Sequence, residues 1–220
     1  MSGIVGFVRG QMSEDACVAA LRAMRTAIHH CDSYVVNDLF VDRGVCGTRT
    51  HNNIIQREPQ PYQESGLYVW LDGEFYNQDE LPRSIEHSIT TDPQLLLRLF
   101  RKSNQNLQFL REIDGIYSSV IYDSNEGKVY LISDRYGLRY LYWTVYRGGL
   151  AWASEVKAIL ALPGFEPKID RIALNQFIQI GYMLEDRTWI EGINMLASGT
   201  VLTFDITMQS LQNKRYWWWN

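Results

Sequence analysis

The residues able to do chemistry are few and scattered. Cys17, Cys31 and Cys46 are an odd, sparse set with no Cys-x-x-Cys pair, so they do not form a disulfide framework and read as small buried hydrophobes. His29, His30, His51 and His87 do not fall at zinc-finger spacing, so no metal site is expected. Neither a Walker phosphate loop nor a Gly-x-Gly-x-x-Gly run after a strand is present. What remains is a set of charges in apolar or turn-forming surroundings. Arg49 lies in a short β-type run, Asp72-Gly73 follows the apolar run Leu67 to Leu71, and Asp92 precedes Pro93. Asp134, Arg135 and Glu155 interrupt apolar segments. Such charges tend to be paired where buried, so these three read as structural, fixing strand ends and an interface to a partner domain.

The elements that must position these groups can be read from local pattern. Ile4 to Val8 is a strand. Ser13 offers a cap to a helix over 14–30, with Glu14 and Asp15 in its first turn and Val18, Leu21, Met24 and Ile28 at helical spacing. Leu67 to Leu71 is a buried strand that the pair Asp72-Gly73 ends in a tight turn. Asp92 caps a helix through Lys102, with Pro93 at its first position, and residues 106–113 offer another helix. Two hairpins follow. Tyr117 to Tyr122 and Lys128 to Ser133 flank one turn, and Tyr140 to Val145 and Leu150 to Ser154 flank Arg147-Gly148-Gly149. Glu155 to Leu160 makes one or two helical turns, Asp170 caps a helix through Ile178, and Thr200 to Phe204 is the last clear strand. Strands in antiparallel hairpins, with helices between, predict α+β layers rather than a doubly wound nucleotide fold.

Composition narrows the function further. The chain has 220 residues, 46% hydrophobic, enough for one large domain with a buried core. Its net charge is −4 with no block of like charge, which disfavours nucleic acid and membrane surfaces as partners. No run of 18 apolar residues and no basic-then-apolar leader occurs, so a cytoplasmic location is expected.

Five segments, in order, carry a family resemblance. Ser2-Gly3-Ile4 looks like a Cys-Gly-Ile opening, and Asp72-Gly73-Glu74-Phe75-Tyr76-Asn77 like Asn-Gly-Glu-Ile-Tyr-Asn. Asp92-Pro93-Gln94 stands where Asp-x-Glu is found. Asp134-Arg135-Tyr136-Gly137 is similar to Arg-Asp-x-x-Gly, and Trp152-Ala153-Ser154-Glu155-Val156-Lys157-Ala158 to Phe-Ala-Ser-Glu-x-Lys-Ala. Together they resemble the class II glutamine amidotransferase domain, an N-terminal-nucleophile hydrolase, that opens asparagine synthetases. The resemblance runs over 1–205 and implies a four-layer αββα sandwich of two antiparallel sheets between helical layers. Residues 206–220 then form an aromatic segment leading toward an ATP-pyrophosphatase synthetase domain that this chain lacks.

The resemblance also implies chemistry, and the chain departs from it twice. In the family the first methionine is removed, and the exposed cysteine attacks the glutamine amide with its own α-amine, of pKa about 8, as base. Here the position is Ser2. Serine is used as an N-terminal nucleophile by related hydrolases, but an alcohol is a far weaker acid than a thiol and needs a stronger base. Ser2 therefore has two readings, a nucleophile or merely the start of a strand. The family's oxyanion asparagine is Asp72 here, beside the conserved-type Gly73 whose backbone N–H would be the second donor. An ionised carboxylate has no donor to offer an oxyanion; alternatively Asp72 is a plain turn residue. Arg49 matches the arginine that grips the substrate carboxylate, or is an exposed strand arginine. Asp92 matches the acid that meets the substrate ammonium, or is a helix cap, and Glu74 lies beside it in the motif. The family's Arg-Gly-Pro-Asp loop is missing, and only His30-Cys31-Asp32 stands near its place.

No phosphate loop Ser-Gly-Gly-x-Asp-Ser occurs, so no cofactor is expected in this chain; ATP and magnesium belong to a synthetase domain or chain elsewhere. The aromatic run Tyr216 to Trp219 should pack on this domain or in a partner. Three functions follow as expectations. The first is a glutaminase-like domain with weak or lost hydrolysis that serves an adenylating synthetase as scaffold, similar to β-lactam synthetases and lasso-peptide cyclases. The second is a working serine amidohydrolase that releases ammonia from glutamine or a related small amide. The third is a stand-alone interaction module that uses the aromatic tail, with a homo-oligomer possible.

Overall fold

The computed structural model describes residues 3–42, 44–52, 54, 58–81, 91–103 and 106–219. In chain order the first half holds β1 (Gly3–Val8), α1 (Glu14–Ile28), β2 (Val35–Val36), β3 (Phe40–Asp42), β4 (Val45–His51), β5 (Tyr62–Glu64), β6 (Leu67–Phe75) and α2 (Asp92–Lys102). The second half holds β7 (Gly115–Asp123), β8 (Lys128–Ser133), β9 (Tyr142–Tyr146), β10 (Gly149–Ala153), α3 (Val156–Leu160), α4 (Arg171–Ile180), β11 (Asn194–Met195), β12 (Thr200–Asp205) and β13 (Ser210–Arg215). Two antiparallel sheets result. One has the order β11-β9-β10-β1-β4-β2, with β3 also on β4; the other has the order β13-β12-β8-β7-β6-β5.

Strand alternation builds the layers. On β1, Ile4 and Val8 face the second sheet and join Trp70, Val120, Leu131 and Trp152 in a core between the sheets. Val5 and Phe7, on the opposite face of the same strand, meet the apolar stripe of α1 (Cys17, Leu21, Met24, Ile28) and Ile159 of α3. On β6, Val69 and Leu71 face away from the first sheet and pack under Leu96 and Phe100 of α2. The expected αββα sandwich is therefore the observed one. Each fully buried Leu, Met or Ile of these stripes contributes about 1.5–3 kcal/mol relative to exposure. Caps fix the helix starts. The Ser13 hydroxyl accepts the Ala16 N–H at 3.3 Å, and Asp170 accepts the N–H groups of Ile172 and Ala173 at 2.8 and 3.0 Å.

Several local expectations are corrected. Asp72-Gly73 is not a turn. β6 runs through it to Phe75, in continuous register with β7 from Leu67↔Asp123 to Phe75↔Gly115. Gly73 holds φ at +126°, and a Cβ there would lie 2.0 Å from the Ile116 carbonyl oxygen, so glycine is what lets the two strands approach. Thr91, not Asp92, is the N-cap residue of α2; Asp92 is already helical, and its carboxylate is used elsewhere. Thr200–Asp205 is not the last strand. The polar run Ser210–Arg215 pairs along β12 as an edge strand, and Tyr216 beyond it is buried, donating its hydroxyl to the Ser133 carbonyl at 2.7 Å. Trp217 packs against that core and against Tyr136 and Trp219, whereas Trp218 lies over Arg215. Cys17 and Cys46 are buried, but Cys31, in the turn after α1, is exposed, and its bond to the Ser33 hydroxyl holds the thiol below its ordinary pKa. No helix of the described residues is long and apolar enough to cross a membrane.

Candidate active site

Arg49 and Asp72 come from different sheets and meet between them. On β4, alternation puts Arg49 on the same face as Gly47, which lies against Trp70 of the other sheet. On β6, the same parity puts Asp72 on the face of Trp70. Both charges are buried. Burial lowers the Arg49 guanidinium to a pKa of about 10, and the nearby Asp72 and Glu58 carboxylates oppose that shift. His51, two residues along β4, is pushed below its ordinary pKa by burial and then by the Arg49 charge, again against Asp72. The exposed-strand reading of Arg49 is thereby excluded.

A second cation reaches Asp72 from outside the sheets. Arg139 Nη1 lies 3.6 Å from Asp72 Oδ2. The loop that carries Arg139 is fixed by Asp134, which is fully buried. Its carboxylate accepts the backbone N–H groups of Tyr117 (3.2 Å), Tyr136 (2.8 Å), Leu138 (3.1 Å) and Arg139 (3.3 Å). Its own carbonyl accepts the N–H of Gly199 at 2.8 Å. Four N–H donors on one carboxylate leave little freedom in residues 134–139. Arg135 points the other way, donating to the Arg111 carbonyl at 2.6 Å.

The remaining expected residues are only partly gathered here. Glu74 follows Gly73 on β6 and is half-buried. Asp92 is buried at the start of α2, where it accepts the Phe75 N–H at 3.0 Å and the Gln78 side-chain amide. It thus ties the end of β6 to α2. Ser2 lies outside the described residues. Its neighbour Gly3 pairs with Thr50, so β1 enters the sheet beside the strand of Arg49. Near that entry, where the Ser154 hydroxyl accepts the Ile4 N–H at 2.9 Å, His30 Nε2 lies 2.5 Å from Glu155 Oε1, and Lys157 Nζ lies 3.1 Å from Glu155 Oε2, a surface cluster. Arg139, Glu58 and His51 escaped the sequence reading. The one sequence signal for Arg139 is a second arginine just past Asp134 and Gly137 in a short loop.

The profile of the glutamine amidotransferase domain matches residues 1–217. The chain belongs to that family. Among relatives, the amidotransferase domain is 27% identical over 168 residues to asparagine synthetase [glutamine-hydrolyzing] 2 of Bacillus subtilis, covering 72% of this chain and 22% of the relative. It is 26% identical over 164 residues to amidase chyE of Penicillium rubens, covering 72% of this chain and 23% of that protein. The domain thus spans less than a quarter of the length of either relative. Among solved structures, the glutamine phosphoribosylpyrophosphate amidotransferase of B. subtilis has the same fold, with a TM-score of 0.60 at 16% identity over 97% of this chain and 49% of that one. The amidotransferase domain is related to those of asparagine synthetases, and its site carries Asp72 between two arginines.

Proposed function

We propose that this amidotransferase domain has lost efficient glutamine hydrolysis and is kept as a scaffold for an adenylating, amide-forming synthetase part. The observation that carries this reading is the buried Asp72 carboxylate, flanked by Arg49 and Arg139. Where an asparagine would donate to the oxyanion, a carboxylate presents acceptor oxygens to a centre that becomes negative. Loss of one such donor alone costs about 2.7–4 kcal/mol of transition-state stabilisation. The same carboxylate also competes for Arg49, the side chain suited to a glutamine α-carboxylate. Asp92 is committed to Phe75 and Gln78, which positions β6 whether or not an ammonium is bound. Ser2, at the family's nucleophile position in the sequence, would offer an alcohol, a weaker nucleophile than a thiolate. The ATP and magnesium of amide synthesis would act in the synthetase part, and no cofactor is assigned to this chain.

The test is glutamate release from glutamine by protein shown by mass spectrometry to begin at Ser2, with Ser2→Ala as blank. Release at the level of the blank is expected, and Ser2→Cys with Asp72→Asn should raise it. Turnover by the natural protein above the blank would overturn the proposal and make Ser2 the nucleophile of a serine amidohydrolase.

A further inference from the structure

Two thiols that the candidate site does not use lie together beneath α1. Cys17 projects from the start of that helix and Cys46 from β4, and both are fully buried. They share a core with Val5, Ala20 and Leu21, and the Cys46 thiol makes a hydrogen-bond contact with that of Cys17. Both are free thiols. Small side chains make room for the approach. Ala16, Cys17 and Ala20 share the face of α1 that turns to this core, and the helix backbone comes within 8 Å of β4, Cα to Cα. A disulfide needs its two Cα atoms about 4.4–6.8 Å apart, an approach that bulky side chains between helix and sheet would prevent.

We infer that Cys17 and Cys46 are a latent disulfide, closed by a small-molecule disulfide when the first turn of α1 opens, which then staples α1 to β4. The order of events follows from where each thiol sits. β4 is paired on both edges at Cys46, with Phe7 of β1 and Val41 of β3, so this thiol is fixed. Burial, and then the neighbouring Cys17, push it above its ordinary pKa and keep it protonated. Cys17 sits at a helix end instead. Its N–H donates to the Ser13 carbonyl at 3.0 Å, the opening bond of α1, and the Ser13 hydroxyl caps that end through Ala16 at 3.3 Å. Helix ends open at far lower cost than a core. With this turn open, the Cys17 thiolate attacks one sulfur of the small disulfide. A mixed disulfide forms, and one small thiol leaves with the proton that Cys17 gave up. On reclosing, Cys46 loses its proton, attacks the Cys17 sulfur and expels the second small thiol. Two protein thiols are oxidised and one small disulfide is reduced, so two electrons and two protons leave the protein. The link fixes α1 to the strand that carries Arg49 and His51. This inference stands independently of whether hydrolysis is lost.

The test uses the full chain with Cys31→Ser, which removes the exposed third thiol. Folded protein is held in oxidised glutathione at neutral pH, quenched with acid and weighed. The expected product is lighter by about 2 Da, the mass of two hydrogens. On digestion it gives one peptide pair joined through Cys17 and Cys46. It melts about 5–10 °C above the reduced chain and reverts with dithiothreitol. Ser13→Ala should speed its formation about fivefold. Two free thiols after this treatment overturn the inference, as do glutathione adducts on Cys17 that never pass to Cys46. A linked chain that melts no higher than the reduced one overturns the staple, and an unchanged rate in Ser13→Ala overturns the route through α1. Should Cys31→Ser fail to fold, peptide mapping of the natural chain decides: a Cys17–Cys46 pair supports the inference, and its absence overturns it.

Discussion

Arg49 and Asp72 are charged groups enclosed between two sheets, whereas the α4 face is hydrocarbon left in water; each inverts the ordinary placement of its residue type. The difference lies in how the cost is met. Between the sheets the chain supplies its own answer, with Asp72 facing Arg49 and Arg139 and the latter fixed through Asp134. Along α4 the described residues bury only Ala173, and the helix is held by a cap, an ion pair and one ring contact. Unpaired buried charge would cost several kcal/mol within the fold. Exposed hydrocarbon leaves its gain to be collected when a partner arrives. The first region is therefore bound up with folding, and the second is not.

The largest effect should fall where the charged region is built. Gly73→Ala puts a Cβ 2.0 Å from the Ile116 carbonyl oxygen at positive φ, and a loss above about 4 kcal/mol is expected, seen as absence of a cooperative thermal transition. A melting temperature within a few degrees of the natural protein would show that β6 and β7 are not held so close. The two helix faces give the next contrast. Leu96→Ala in α2 should cost about 3 kcal/mol in urea unfolding. Ile178→Ala in α4, at a side chain 73% exposed, should stay within about 0.5 kcal/mol. Equal losses would mean that α4 is packed like α2 and would erase the comparison.

The smallest effect is on pH. The His51 pKa is lowered in the fold, so as pH falls through about 6.5 the unfolded chain takes the proton first and stability drops; raising pH through the same window restores it. His51→Asn should flatten this slope between pH 7 and 5 in paired denaturation curves. Superimposable slopes would remove His51 from the charged region.

Much of the fold is legible locally. The Ser13 and Asp170 caps, the α1 stripe and the β7–β8 and β9–β10 hairpins all follow from neighbouring residues. What was not legible depends on distant chain. Asp72-Gly73 has the composition of a turn, and only the backbone of β7 beside it makes it strand. β13 is polar and almost wholly exposed, so no alternation marks it; β12 recruits it by its free edge. Motif position pointed to Arg49, Asp72, Gly73, Glu74 and Asp92 as candidates, of which the structure brings Arg49 and Asp72 together, but not to Arg139, whose contact with Asp72 is made by a loop far along the chain. Burial decided between the readings that sequence left open for Arg49, and exposure overturned the buried reading of Cys31.

The Asp134 carboxylate also sets a rhythm in time. Because one group binds the amides of Tyr117, Tyr136, Leu138 and Arg139, and its backbone holds Gly199, the loop has no separate way to open. Moving the backbone of Arg139 away from Asp72 means releasing an amide of β7 and the approach to β12 together. These amide protons belong to one exchange unit with the middle of the second sheet, and the backbone that carries Arg139 moves on the slow clock of sub-global unfolding rather than the fast one of a surface loop.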